Sequence, residues 1–233
     1  MPRAFTLSGT SKYDTFPRMM LQATRGTVSA RPLPQREQLT AFLRARGIAR
    51  LAEIRQAGIT AATVSRLERE GVVTRLGRGL YQLADAAIEG NHTLAEAAKR
   101  VPNGVVCLIS ALTFHGITDQ MPRRVWMAIG PKDWKPQLDY PPLRIARFAE
   151  KFLRDGVETH EIEGVSVPIF GVAKTIADVF RHRRKVGIDV AIPALKEALR
   201  QRKASPSEIA DCAMRSGVWS VVRPYLEAFT SDG

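Results

Sequence analysis

Every basic residue between positions 35 and 83 is an arginine, nine of them set against four acids. Arginine carries a permanent planar fork of donors that matches phosphate oxygens and the edge of guanine, which a lysine ammonium does not. Four of the nine, Arg66, Arg69, Arg75 and Arg78, lie among apolar residues at regular spacing. If Val64 and Leu67 turn inward on a helix, Ala62, Thr63, Arg66 and Arg69 share its outward face. Small Ala62 and Thr63 near the helix start let the backbone approach base edges. Arg66 then reaches a guanine or a phosphate, and Arg69 a phosphate. Arg75 and Arg78 follow on a ribbon suited to the minor groove or the backbone. These six residues are the candidate DNA contacts.

A second constellation lies between 174 and 185. Lys174, Asp178, Arg181, Arg183, Arg184 and Lys185 are candidates for contact with a protein partner or a further nucleic-acid segment. The basic run 181–185 also reads as a solvated helix end, where cations complement the helix dipole. Asp178 and His182 stand i,i+4 and are read as a carboxylate–imidazole pair on a solvated face. The alternative is a pair of metal ligands, completed by Glu161 in a nuclease-like site. Trp134, Lys135 and Tyr140 form a recognition loop or a packed one. No HExxH, P-loop, GxSxG or strand-borne GxGxxG occurs. The expectation is therefore a non-enzyme with no metal and no cofactor.

Two short helices and a ribbon must carry the first constellation. Leu51 and Ile54 give one helix an apolar face. Ala57-Gly58-Ile59-Thr60 makes a turn, with Gly58 at a helix stop and Thr60 as N-cap. Helix Ala61–Glu70 ends at Gly71, and Val72–Leu76 and Leu80–Leu83 flank Gly77-Arg78-Gly79 as a hairpin. Helix Gln35–Arg46, with Leu39, Phe42 and Leu43 on one face, precedes them, and Ile48 adds a short strand. That order describes a winged helix-turn-helix over 35–84, whose second helix enters the major groove. Residues 84–91 read as a linker.

From His92 onward the pattern alternates. Thr93 caps a helix Leu94–Arg100, and Val105–Ile109 reads as a buried strand with Ser110 capping a helix to His115. Val125–Ile129 and Leu143–Phe148 are strands, and Thr159–Ile162 and Val165–Ile169 flank the hairpin signal Glu163-Gly164. Helices Val172–Arg184, Ile188–Arg202, Ser207–Arg215 and Trp219–Phe229 follow. Strands first and helices after predict an α+β chain: a winged helix-turn-helix followed by a larger mixed α/β domain, 92–233, ending in several helices.

The chain has 233 residues and a net charge of +12, of which the first 83 residues hold nine. Charge concentrated on a helix-turn-helix points to nucleic acid more strongly than basic composition alone. Residues 1–34, rich in Ser, Thr, Arg and Pro, are expected to be a flexible basic arm, either without a role or touching phosphate. No apolar run is long enough to span a bilayer, and Met19-Met20-Leu21 is too short for a signal-peptide core. Cys107 and Cys212 lack metal spacing and read as buried thiols of a reducing cytoplasm.

Three blocks taken together resemble the AbiE-type (AbiEi) antitoxin family of type IV toxin–antitoxin systems. The first runs through Gly58-Ile59-Thr60, Val64-Ser65-Arg66-Leu67, Glu70-Gly71-Val72-Val73 and Arg75-Leu76-Gly77-Arg78-Gly79-Leu80-Tyr81. Cys107 to Gly116 forms the second, and Val172-Ala173-Lys174-Thr175-Ile176-Ala177-Asp178 the third. The resemblance implies a winged domain that binds inverted repeats in operator DNA and represses its own operon. It also implies a C-terminal domain that counteracts a nucleotidyltransferase-like toxin, by direct contact or through the toxin's target. The oligomer expected is a monomer or weak dimer that binds DNA cooperatively. The other reading is a stand-alone winged-helix regulator with a ligand-sensing or dimerising C-terminal domain.

Overall fold

A computed structural model describes residues 33–87, 90–136 and 140–231. The arm expected over 1–34 lies outside them, apart from Leu33 and Pro34. Helix α1 (Gln35–Arg46) buries Leu39 and Leu43, and strand β1 (Ala49–Arg50) follows it. Helices α2 (Leu51–Gln56) and α3 (Ala61–Arg69) are joined through Gly58, whose φ of 82° favours glycine. Strands β2 (Val73–Gly77) and β3 (Leu80–Leu83) form the hairpin, and β3 also pairs with β1, giving the order β1-β3-β2. Leu39, Leu43, Ile54, Ile59, Val64, Leu67, Val73, Tyr81 and Leu83 make one core. This is the winged helix-turn-helix that the periodicity predicts.

Helix α4 (His92–Arg100) opens the larger part. Its N-cap is Asn91, without a side-chain hydrogen bond, so Thr93 is not the cap expected. A mixed sheet follows in the order β6-β5-β4-β8-β7. Its strands are β4 (Val105–Val106), β5 (Val125–Ile129), β6 (Leu143–Arg147), β7 (Val157–Ile162) and β8 (Val165–Phe170). The β7–β8 hairpin turns through Glu163 and Gly164, with Ile162 opposite Val165. On one face lie α5 (Leu108–Phe114), α7 (Val172–Arg181), α9 (Ile188–Arg200), α10 (Pro206–Arg215) and α11 (Trp219–Ser231), around Leu112, Phe170, Phe180 and Leu195. On the other lie α4 and, from the winged part, Ile48 and Leu80.

Three expectations fail locally. The strand read over Val105–Ile109 stops at Val106, because Leu108 takes φ 47° and starts α5. Ser110 therefore sits inside that helix, and its hydroxyl accepts from the Trp126 N–H at 3.0 Å instead of capping. The helix read over Val172–Arg184 breaks at His182, with φ −97° and ψ 17°, into α7 and the short α8 (Arg183–Val186). The short helix α6 (Glu150–Leu153) has no counterpart in the periodicity.

Candidate nucleic-acid interface

Helix α3 is fixed by its cap and its inward face. The Thr60 hydroxyl accepts from the Thr63 N–H at 3.2 Å, satisfying one of the first-turn donors. Val64 and Leu67 are buried, which leaves Ala61, Ala62, Ser65, Arg66 and Arg69 exposed. Thr63 departs from the expected outward face: it is buried, and its hydroxyl donates to Gln35 Oε1 at 3.0 Å. The same Gln35 oxygen accepts from the Thr60 N–H at 2.9 Å, and Gln35 Nε2 donates to the Gly58 carbonyl at 3.0 Å. One side chain from α1 thus ties together the turn and the start of α3. Its hydrogen-bonding role was not legible, because nothing in the spacing of Gln35 points across to residues 58–63.

Charge on this surface is shared rather than isolated. Glu70 takes Arg36 at 2.5 Å and Arg66 at 3.7 Å. Arg69 Nε donates to the Ser65 carbonyl at 3.3 Å, which lays its guanidinium along the helix. In the ribbon, Arg75 stands opposite Tyr81, and Val73 opposite Leu83. Directly paired residues project to the same side of a sheet, so Arg75 emerges on the face that covers α1–α3. Arg75 Nε donates to the Gly77 carbonyl at 3.2 Å, and Arg78 is exposed at the turn. The structure therefore presents Ala62, Arg66, Arg69, Arg75 and Arg78 at the surface of one module and withdraws Thr63.

The second constellation divides. Lys174 and Asp178 are 1% and 0% exposed and form an ion pair between Nζ and Oδ2. Phe170 and Phe148 flank the ammonium, with ring centroids 4.6 and 5.3 Å away. Burial pushes the Asp178 carboxyl up and Lys174 pulls it partly back, leaving it at about 6. The expected solvated Asp178–His182 pair is therefore absent, since the Asp178 side chain meets Lys174 instead. His182 packs on Phe148 at 5.0 Å, and burial, then Lys185 and Arg181, lowers its pKa to about 4. Arg181 lies over the Phe152 ring at 3.9 Å, and Arg183 donates to the Phe180 carbonyl at 3.1 Å. Of these six only Arg184 and Lys185 are exposed. Lys174 and Asp178 have the surroundings of internal supports, because a partner cannot touch side chains closed off from solvent.

Among the described residues no group of three or more His, Cys, Asp and Glu could hold a metal ion. The alternative site from Glu161, Asp178 and His182 is not assembled, because Asp178 faces inward and Glu161 lies exposed on β7. A cleft of about 640 Å³ does exist beside α7, with His115, Glu158, Lys203, Cys212 and Arg215 on its walls. Trp134 and Tyr140, 77% and 53% exposed, flank residues outside those described.

Sequence reasoning missed the grip that the larger part keeps on the wing. Arg100 Nη2 donates to the Leu76 carbonyl at 2.9 Å and to Glu96 Oε1 at 2.5 Å. Their i,i+4 spacing was the available signal, and it reads as an ordinary helix-surface pair. His92 Nδ1 lies 2.7 Å from Glu163 Oε2, joining α4 to the β7–β8 turn.

These features define a winged helix-turn-helix module built onto an α+β domain. Residues 37–84 match the family described as AbiEi antitoxin transcriptional regulator, the family that the sequence blocks resemble. No curated protein matches the chain. Among solved structures, the crystal structure of the RV2827C protein from Mycobacterium tuberculosis is similar, with a TM-score of 0.57 at 14% identity. The match covers 84% of this chain and 77% of that one. It establishes a shared mixed α+β fold.

Proposed function

We propose that this chain is a DNA-binding autorepressor and antitoxin that works by binding and not by catalysis. The observation that carries the reading is the exposed arginine surface of α3 and the wing, within the segment that matches the antitoxin-regulator family. Ala62, Arg66 and Arg69 enter the major groove of an operator, and Arg75 and Arg78 meet the flanking backbone or minor groove. Two copies occupy inverted repeats as monomers or a weak dimer, binding cooperatively. Repression of the operon follows from occupying its promoter.

The larger domain counteracts a nucleotidyltransferase-like toxin. Its partner surface includes Arg184 and Lys185, flanked by Arg181 and Arg183, while Lys174 and Asp178 support α7 from within. The protein acts in the cytoplasm; no helix among the described residues is long and apolar enough to cross a membrane.

The test is co-expression of the full chain with the product of the neighbouring gene. Rescue of growth by wild type and by Arg66→Ala/Arg69→Ala alike, with promoter repression lost only in the variant, is the expected result. A neighbouring product that arrests nothing, or arrest that the wild-type chain does not relieve, removes the antitoxin role. Repression unaffected by the double substitution removes the assigned DNA surface.

A further inference from the structure

We propose that Glu96 and Arg100 of α4 position the wing for DNA, so that the larger domain sets how the wing meets the duplex. The inference rests on the DNA-binding reading above and adds residues outside the winged module to it.

Helix α4 belongs to the larger core through Leu94, Ala95, Ala97 and Ala98. Glu96 is fully buried, and its Oε2 has no hydrogen-bond partner among the described residues. A buried carboxylate is tolerated when a fixed opposite charge compensates it. Arg100 supplies that charge through Nε and Nη2 at 3.1 and 2.5 Å, so its guanidinium is not free to swing away. The same Nη2 holds the Leu76 carbonyl, immediately before the Gly77-Arg78-Gly79 turn. Gly77 permits the approach: a β-carbon there would stand 2.4 Å from Nη2.

The other strand of the ribbon is gripped as well. Leu80 pairs with Arg50, and the Leu51 N–H donates to the Gly79 carbonyl at 2.9 Å. Arg50 Nε in turn donates to the Lys99 carbonyl at 2.8 Å, and Lys99 Nζ reaches Glu53 at 2.9 and 3.1 Å. Leu76 and Leu80 also pack into the core that α4 shares with the sheet. The last turn of α4 therefore holds both sides of the turn that carries Arg78. A ribbon held in advance avoids an ordering cost when Arg78 meets phosphate. The coupling runs through side chains of one contiguous contact, with Glu96 at its buried end.

The experiment uses the full chain, the duplex upstream of its own gene, and a scrambled duplex of equal length. Arg100→Lys keeps a cation beside Glu96 but gives up the fork that spans to Leu76. Glu96→Gln, close in shape, releases the guanidinium, and it serves if Arg100→Lys does not fold. Both are expected to speed amide exchange of residues 75–80 in the free protein. Both are expected to weaken binding to the gene's own duplex roughly fivefold, the size of one flexible side chain having to be ordered on binding. In an Arg75→Ala/Arg78→Ala background the same substitutions should cost nothing further, because the wing residues being positioned are gone. Unchanged exchange at 75–80, or losses that add fully to that of Arg75→Ala/Arg78→Ala, overturns the proposal. If wild type binds its own duplex no better than the scrambled one, the DNA-binding reading itself falls. The exchange arm, read without DNA, keeps that failure apart from a failure of the clamp.

Discussion

The Lys174 ammonium meets the Asp178 carboxylate one helical turn away with both side chains closed off from water. Desolvating two charges consumes most of their attraction, so such a pair adds little net stability while removal of either partner is severe. Asp178→Ala, which strands the ammonium between Phe148 and Phe170, should cost about 3–5 kcal/mol of unfolding free energy. Lys174→Met should cost less, because the carboxyl left behind can shed its charge by taking up a proton. Lys174→Met/Asp178→Leu should recover most of the loss. Urea unfolding at pH 7 orders the three variants. An Asp178→Ala chain as stable as wild type would contradict the support role assigned to this pair.

His182 and Asp178 oppose each other in acid. The folded pKa of His182 is lowered to about 4 from 6.5, so its neutral form is favoured in the fold. Its stabilisation is complete above pH 6.5 and is lost as pH falls towards 4. Asp178 is raised from 3.8 to about 6, so the fold holds its proton more tightly than the unfolded chain does. Its contribution is present below 3.8 and is lost as pH rises through 6. His182→Phe keeps the ring against Phe148 and removes the titration. Between pH 7 and pH 5 the variant should lose less stability than wild type, by on the order of 1 kcal/mol once screening at this half-buried ring is allowed for. Parallel urea curves at the two pH values measure it, and equal losses would remove the assignment.

Periodicity located the winged module well because its helices each bury one narrow stripe, such as Leu39 and Leu43 or Val64 and Leu67. It failed where tertiary contacts override a local pattern. Val105 to Ile109 is apolar throughout, which a buried strand and the start of a buried helix share equally; the positive φ at Leu108 decides between them. Glu96 with Arg100, and Lys174 with Asp178, look like solvated i,i+4 pairs, yet Glu96 and the second pair lie fully inside. Spacing reports which side chains share a helix face and not what covers that face. Thr63 shows the same limit at the candidate interface, since its burial depends on Gln35, a residue of another helix.

Gln35 and Thr63 should behave as structural residues. Gln35→Ala removes three hydrogen bonds around the turn, a loss of about 1–2 kcal/mol that should be accompanied by weaker DNA binding. Thr63→Ser keeps the hydroxyl and should match wild type in stability and base preference. Thr63→Val loses the hydroxyl, and should lower stability while leaving base preference unchanged. Thermal unfolding together with selection from a randomised duplex pool separates the two roles. A Thr63→Val protein of native stability with altered base preference would place the hydroxyl on a base after all.

Glu70 sets the balance between Arg66 and its surroundings. Its carboxylate lies between Arg36 and Arg66, so it holds both guanidiniums near the helix and subtracts one charge from the arginine surface. Arg66→Ala should cost about 1–3 kcal/mol at a specific site and relax its base preference, whereas Arg69→Ala should weaken all duplexes alike and lower the salt slope by about 1. Glu70→Gln should do the reverse of Arg69→Ala on random DNA. Without the carboxylate the arginine surface gains one net positive charge, so nonspecific affinity rises and the slope of log affinity against log salt steepens by about 1. Specificity should fall at the same time, because Arg66 loses the partner that orients it and nonspecific sites gain most from unoriented charge. Titrations of a specific and a random duplex between 50 and 200 mM salt, roughly the range over which phosphate contacts are lost, read both effects. A Glu70→Gln chain with an unaltered ratio of specific to random binding would show that Arg66 is oriented by something other than Glu70.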